Sequence, residues 1–328
     1  MKRKLFSALL SVFALLLLMG AAAVPEQPAA ALVAEEESAA TEEPALEPEA
    51  QTPDPQPVET PPDSTADPAP VNPVEPVEPV PTTDNMLLLD GQPTPLTLGR
   101  YYQKSTAYVA LSAMAQLMDP AAQVAWDGKT MTVTTPELTL SAQVGKLYLV
   151  ANERYLYVPE TVLLNAAGQV AIPLRTAAKV FNASVNFDPA TGVTTITRGS
   201  GVIASGESFY NAEDLYWLSR IIYRESGNQS LEGQMAVGNV VLNRVANPVF
   251  PNTVEGVLAQ KNQFSSYRTG ALAKTKPSTS STIAAKLVMD GGVVEETKGA
   301  LYFDSGSNSW AARNKTHIAT LGGHKFYG

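Results

Sequence analysis

Hydrophobic and polar positions alternate along the chain in four regimes. Leu5 to Met19 form an apolar run behind Lys2, Arg3 and Lys4, and residues 25–85 carry neither a helical nor a strand-like apolar period. From Met86 onward, order begins. Tyr108–Leu117 and Ala171–Phe181 have helical spacing, and each is followed by a strand, an Asp/Gly turn and an alternating strand, over Val124–Val133 and Val185–Ile196. This predicts a helix-plus-hairpin unit that occurs twice, offset by roughly sixty residues. After Gly199-Ser200-Gly201, the spacing becomes that of a longer helix: Asn211 as its cap, Leu215, Leu218, Ile221 and Ile222 on one face, and Gly227 as its stop. A second helix opens behind Ser230, and near the end His317 and His324 flank a Leu321-Gly322-Gly323 hairpin turn. The fold class is α+β.

Composition divides the chain further. Its 328 residues, 45% hydrophobic, suit about two domains plus a less ordered part. The net charge of −9 is uneven: residues 25–84 hold fifteen acidic groups and no basic one, leaving 20 basic against 17 acidic over residues 85–328. The acidic balance belongs to the tail, so the folded part is close to neutral. Residues 1–24, with three basic groups, an apolar core and Ala21-Ala22-Ala23, read as a secretory signal peptide, which places the mature chain outside the cytoplasmic membrane. Residues 25–85 contain fifteen prolines and no aromatic residue and read as a disordered, semi-extended acidic linker with polyproline II preference. There is no cysteine and only two histidines, which excludes thiolate metal sites and cysteine nucleophiles and argues against zinc or triad chemistry. No metal or other cofactor is expected, and no basic cluster with interleaved aromatics points to nucleic acid.

The two repeated units, over residues 86–199, resemble the copper amine oxidase N-terminal-like, or stalk, domain family. The resemblance rests on hydrophobic positions and implies no copper chemistry, since no histidine lies between Lys2 and Thr316. Trp126 and Phe187, at matching positions of the two copies, are expected as core anchors. The implied role is a spacer with weak cell-wall attachment.

Glu225 follows Ile222 by three residues and Leu218 by seven, so it shares the apolar face of its helix. A carboxyl group there loses hydration, its pKa rises, and it becomes able to donate a proton near neutral pH, as a general acid must. The run Arg224-Glu225-Ser226-Gly227-Asn228-Gln229 through Asn243-Arg244-Val245 resembles the SleB-type cell wall hydrolase family, the spore cortex-lytic enzymes. So do Phe250-Pro251-Asn252-Thr253, Gln263-Phe264-Ser265, Ala300-Leu301-Tyr302-Phe303 and Gly322-Gly323-His324-Lys325-Phe326. For residues 206–328 the resemblance implies a lysozyme-like, mainly helical domain with a small β-hairpin. It also implies action on the MurNAc–GlcNAc bond of peptidoglycan in cortex lysis or wall turnover, by lytic transglycosylation with Glu225 as catalytic acid.

Glu232, Glu255, Asp290 and Asp304 are the candidates for a second carboxylate, which a two-carboxylate hydrolase needs and a lytic enzyme does not. Glu232, Gln263, Phe264, Ser265, Tyr302, Trp310 and His324 are candidate substrate contacts, because amides and hydroxyls bind sugar substituents and aromatic faces stack on pyranose rings. Arg244, at the end of the second helix, is expected to satisfy that helix's terminal carbonyls or pair with a buried carboxylate. The competing readings are a peptidoglycan amidase, which two histidines in a hairpin do not equip, and a non-catalytic wall-binding protein. The chain is expected to work as a monomer associated with the cell wall.

Overall fold

Short apolar runs bounded by turn residues build a strand-rich middle region. In chain order these are β1 (Leu87–Leu89), β2 (Gln92–Pro93), β3 (Tyr101–Gln103), β4 (Thr106–Ala110), α1 (Leu111–Met118), β5 (Gln123–Trp126), β6 (Thr130–Thr134), β7 (Thr139–Gln143), β8 (Tyr148–Ala151), β9 (Arg154–Tyr157), β10 (Leu163–Leu164), β11 (Val170–Pro173), α2 (Leu174–Val180), β12 (Ser184–Phe187) and β13 (Thr194–Thr197). This computed structural model describes residues 86–95, 98–104, 106–306 and 308–328; the leader and the acidic linker lie outside the described residues.

The two copies pair through their first strands: β4 and β11 run antiparallel, Ile172 opposite Val109 and Pro173 opposite Tyr108. Tyr108–Ala110 and Ala171–Pro173 are therefore strands, not the first turns of helices as their spacing predicts. Both segments are fully buried, and a short apolar run buried on both faces has the same pattern in either conformation. Trp126 and Phe187 also depart from expectation, being 44% and 46% exposed. They lie on β5 and β12, which are edge strands of their sheets. The core instead gathers Leu111, Met114, Val133, Leu140, Ile172 and Ile196 between the helices and sheets. Strands β5 to β9 form a five-stranded antiparallel meander, of which the hairpin β8–β9 was not predicted.

The C-terminal region contains α3 (Gly206–Phe209), α4 (Ala212–Ser226), α5 (Leu231–Ala246), α6 (Val254–Leu258), α7 (Ser265–Arg268), α8 (Ala271–Lys274), α9 (Thr279–Met289), β14 (Tyr302–Asp304), α10 (Trp310–Asn314), β15 (His317–Leu321) and β16 (His324–Tyr327). α4, α5 and α9 pack together around Leu218, Ile222, Val237, Val241 and Leu287. β14, β16 and β15 form a three-stranded antiparallel sheet whose Phe326 enters that core. No helix of the described residues is long and apolar enough to cross a membrane.

The two regions share a packed seam. Tyr148, Tyr155 and Tyr157 of the β8–β9 hairpin are half-buried against the helical core. Arg154, 7% exposed, forks onto Asp290, also 7% exposed, through Nε–Oδ2 at 2.8 Å and Nη2–Oδ1 at 2.9 Å. Lys179 from α2 joins the same carboxylate and donates to the Asp290 backbone oxygen at 2.7 Å. The Arg154 guanidinium also lies 3.4 Å from the Phe209 ring centroid, and the Tyr155 amide donates to the Tyr210 hydroxyl at 2.9 Å. Gly292 sits so close that a Cβ there would come within 2.9 Å of Tyr157 Cβ.

Candidate active site

Helix α4 begins where predicted: the Asn211 side chain accepts from the Glu213 and Asp214 amides at 2.9 and 3.0 Å, and Glu213 and Asp214 complement the helix dipole. Ser226 is fully buried and bonds back to the Ile222 carbonyl, and the helix stops at Gly227. Glu225 thereby sits in the last turn, half-buried. Desolvation pushes its carboxyl pKa above the ordinary value, and neighbouring Arg224 pulls it partly back.

The hairpin β15–β16 closes on this helix end. Gln229, in the connection between α4 and α5, accepts from the Gly323 amide at 2.9 Å. A Cβ on Gly322 would fall 2.1 Å from Gln229 Oε1, so the turn requires glycine there. His324 follows, 8% exposed, its ring edge-on to Phe303 at 5.4 Å. Burial lowers the His324 pKa, while the Asp304 carboxylate and the Glu225 backbone favour its protonated form. Its Nδ1 is buried with no hydrogen-bond partner among the described residues. The end of α4, Gln229 and the His324 hairpin thus meet at one place, with about a hundred residues between Glu225 and His324.

The four candidate second carboxylates go to different places. Glu232, in the first turn of α5 behind its cap Ser230, accepts from the Tyr157 hydroxyl at 2.9 Å across the seam. Glu255 accepts from Tyr267 at 2.7 Å. Asp290 is committed to Arg154 and Lys179. Of the four, Asp304 borders the Glu225–His324 corner; Ser309 donates to its Oδ2, and its Oδ1 is buried without a hydrogen-bond partner among the described residues.

Among the candidate sugar contacts, Tyr302 and Gln263 gather around Arg244, and Trp310 lies beside Tyr302. This arginine is 3% exposed, donates to the Leu301 carbonyl at 2.7 Å and to Gln263 Oε1 at 2.9 Å, and sits 5.2 Å from the Tyr302 ring centroid. Against the expectation from the sequence, it thus bonds neither the carbonyls at the end of its own helix nor a carboxylate, but a carbonyl before β14 and the side chain of Gln263. Trp310 is 56% exposed with its ring 5.6 Å from Tyr302, and Lys315, which sequence reasoning missed, stands 4.9 Å over Tyr302. Ser265 is exposed at the start of α7. Phe264 corrects expectation: it is 7% exposed and belongs to the helical core, which leaves its face no room to stack on a sugar. Tyr157 and Gln229 were also not singled out. Gln229 lies within the quoted run but has no periodic signal of its own, and nothing local marks the partner of Tyr157.

Two family matches cover most of the described chain. Residues 228–327 match the family described as Cell Wall Hydrolase, and residues 88–196 match the Copper amine oxidase N-terminal domain; the chain carries both domains. The first match begins three residues after Glu225. A spore cortex-lytic enzyme of Bacillus cereus is 32% identical over 121 residues, which are 36% of this chain and 45% of that protein. The same-named protein of Bacillus subtilis is 27% identical over 132 residues, 39% of this chain and 42% of that one. The chain thus spans less than half the length of these relatives. Among solved structures, the catalytic domain of the germination-specific lytic transglycosylase SleB from Bacillus anthracis is 30% identical, with 38% of this chain and 100% of that chain covered and a TM-score of 0.33.

Proposed function

We propose that the C-terminal domain cleaves the glycan strand of peptidoglycan as a lytic transglycosylase, with Glu225 as the single catalytic group. The observation that carries this reading is the position of Glu225: a carboxyl group in the last turn of an apolar helix face, kept from water enough that its pKa is raised, in a domain that also presents the exposed Trp310 ring packed on Tyr302. The Cell Wall Hydrolase match and the names of the relatives support the substrate class.

Glu225 first donates its proton to the glycosidic oxygen, and the C1–O bond breaks with its electron pair leaving on that oxygen. The carboxylate so formed faces the cationic sugar. It then takes the proton of that sugar's own C6 hydroxyl as O6 bonds to C1. Glu225 ends protonated, no water is consumed, and an anhydro sugar is released. Three of the four other carboxylates are engaged with Tyr157, Tyr267, or Arg154 and Lys179, which favours this single-carboxyl route over two-carboxylate hydrolysis. The reading places the chain outside the cytoplasmic membrane, monomeric, with the middle domain held near the wall. A spore cortex substrate rests on the relatives' names alone.

The test uses the full chain, wild type and Glu225→Gln, incubated with purified peptidoglycan, the products identified by mass spectrometry. Anhydro-muropeptides from wild type alone are expected. Reducing-end products would replace the lytic route with hydrolysis and turn attention to Asp304. Equal release by both proteins would remove Glu225 from the mechanism.

A further inference from the structure

The middle domain has a groove with no role in the reading above. It encloses about 610 Å³ and is walled by Tyr102, Pro159, Pro173, Phe187 and Thr194, with Arg175 at its edge. It continues through Pro159, Arg175 and Thr176 into a second cleft of about 310 Å³ that reaches Gly291 and Gly292 across the seam. The walls are mostly apolar, and Phe187 is 46% exposed. Arg175 is exposed and donates to the Val185 carbonyl, which holds its charge at the rim.

The sequence before Met86 has a matching pattern. Pro70, Pro73, Pro76 and Pro79 recur every third residue; so do Val71, Val74, Val77 and Val80, and Glu75 and Glu78 share the remaining ridge. A period of three is the period of a polyproline II helix, so such a segment presents proline and valine ridges on two sides and a carboxylate ridge on the third. Aromatic- and proline-walled grooves bind such ridges, because the ligand loses little conformational entropy on docking. Proximity favours the encounter too. β1 pairs in parallel with β13, Leu87 opposite Thr194, and the Thr194 amide donates to the Met86 carbonyl at 3.0 Å. The chain therefore enters the fold beside Thr194 and Phe187, both of which line the groove.

We propose that this groove receives the chain's own segment Pro70–Pro81, with its valine and proline ridges against Tyr102, Pro173 and Phe187 and Glu75 or Glu78 facing Arg175. Twelve residues at about 3.1 Å each make a rod of ~37 Å, and the four intervening residues let Pro81 lie at most about 18 Å from Met86, enough to lay the rod into the groove. An intramolecular occupant has an effective concentration in the millimolar range, so weak ridge contacts suffice. This inference does not depend on the catalytic reading.

The experiment replaces Val77 in the full chain with the photoreactive residue p-benzoylphenylalanine and maps crosslinks by mass spectrometry. Crosslinks within one chain to the peptides holding Tyr102 and Phe187 are expected. The double change Glu75→Lys, Glu78→Lys lowers their yield by about fivefold, and adding Arg175→Glu restores it. Crosslinks between two copies, to added peptidoglycan, or spread over the surface would each overturn the proposal, as would a yield unmoved by the charge reversals. Catalytic activity is not read in this test, so its result is separable from that of Glu225→Gln.

Discussion

The Tyr157 hydroxyl donates to Glu232 at 2.9 Å, so a strand of the middle domain holds the first turn of the helix that follows the Glu225 corner. A half-buried hydrogen bond to a charged acceptor contributes about 1.5–3 kcal/mol. Tyr157→Phe in the full chain should lower stability by that amount in urea unfolding. Glu232→Gln, which keeps an acceptor oxygen, should cost less. An unchanged midpoint for Tyr157→Phe would mean that the hydroxyl is solvated instead.

The Arg154–Asp290 pair, buried on both sides of the seam, is expected to couple the two domains into one cooperative unit. Asp290→Asn leaves the Arg154 guanidinium buried without its counter-charge, at a cost of about 3–5 kcal/mol. Calorimetry of the full chain should show the middle and C-terminal domains melting in one transition. Residues 200–328 alone, deprived of the tyrosines of the β8–β9 hairpin, should expose apolar surface and bind a hydrophobic dye. Two well-separated transitions would contradict the seam as a source of cooperativity.

Acid catalysis by Glu225 fixes the direction of the pH response. Because the folded-state pKa is raised by desolvation, the protonated form persists above the usual carboxylate range, and activity should fall as pH rises through that raised value. Removing the Arg224 charge, which pulls the pKa down, should move this alkaline limb to higher pH in Arg224→Gln. The native state also binds more protons than the unfolded chain in this window, so the Glu225 contribution to stability falls as pH rises. Glu225→Gln should therefore raise the melting temperature at neutral pH while abolishing cleavage, a loss of about 10²–10⁴-fold or more. A limb that ignores Arg224→Gln would assign it to another group.

Two aromatic residues read from the sequence as sugar contacts should behave oppositely. Trp310 is more than half exposed beside Tyr302, so Trp310→Ala should raise KM by about 2–10-fold with little change in melting temperature. Phe264 is buried in the core, and Phe264→Ala should cost about 3–5 kcal/mol of stability. If Phe264→Ala weakened substrate binding while leaving stability intact, its placement in the core would be wrong.

Local signals were the legible ones. Asn211 and Ser230 cap their helices because a cap needs only its own side chain and the next three amides, and the Glu225 face followed from helical spacing. The same reasoning failed at Tyr108–Ala110 and Ala171–Pro173, where burial on both faces erases the difference between strand and helix. It failed at Trp126 and Phe187 because size predicts burial only for strands covered on both sides, and these are edge strands. Alternation along Arg154–Tyr157 marks two faces of a strand, but not that one of them meets another domain. Phe264, read as a sugar platform, is a core residue because the motif that names it does not say which way its ring points.

The contact of Gly292 with Tyr157 bears on how such a chain can change over generations. A module joined only by a hinge can be traded for another by recombination with little consequence. Here a methyl group at position 292 would collide with the neighbouring strand, and the Asp290 carboxylate is matched by cations from two separate elements of the other module. Substitutions on either side of the seam are therefore tolerated mainly in compensating sets. A swapped-in middle domain would need equivalents of Arg154, Tyr157 and Lys179 before its partner could pack against it in this way.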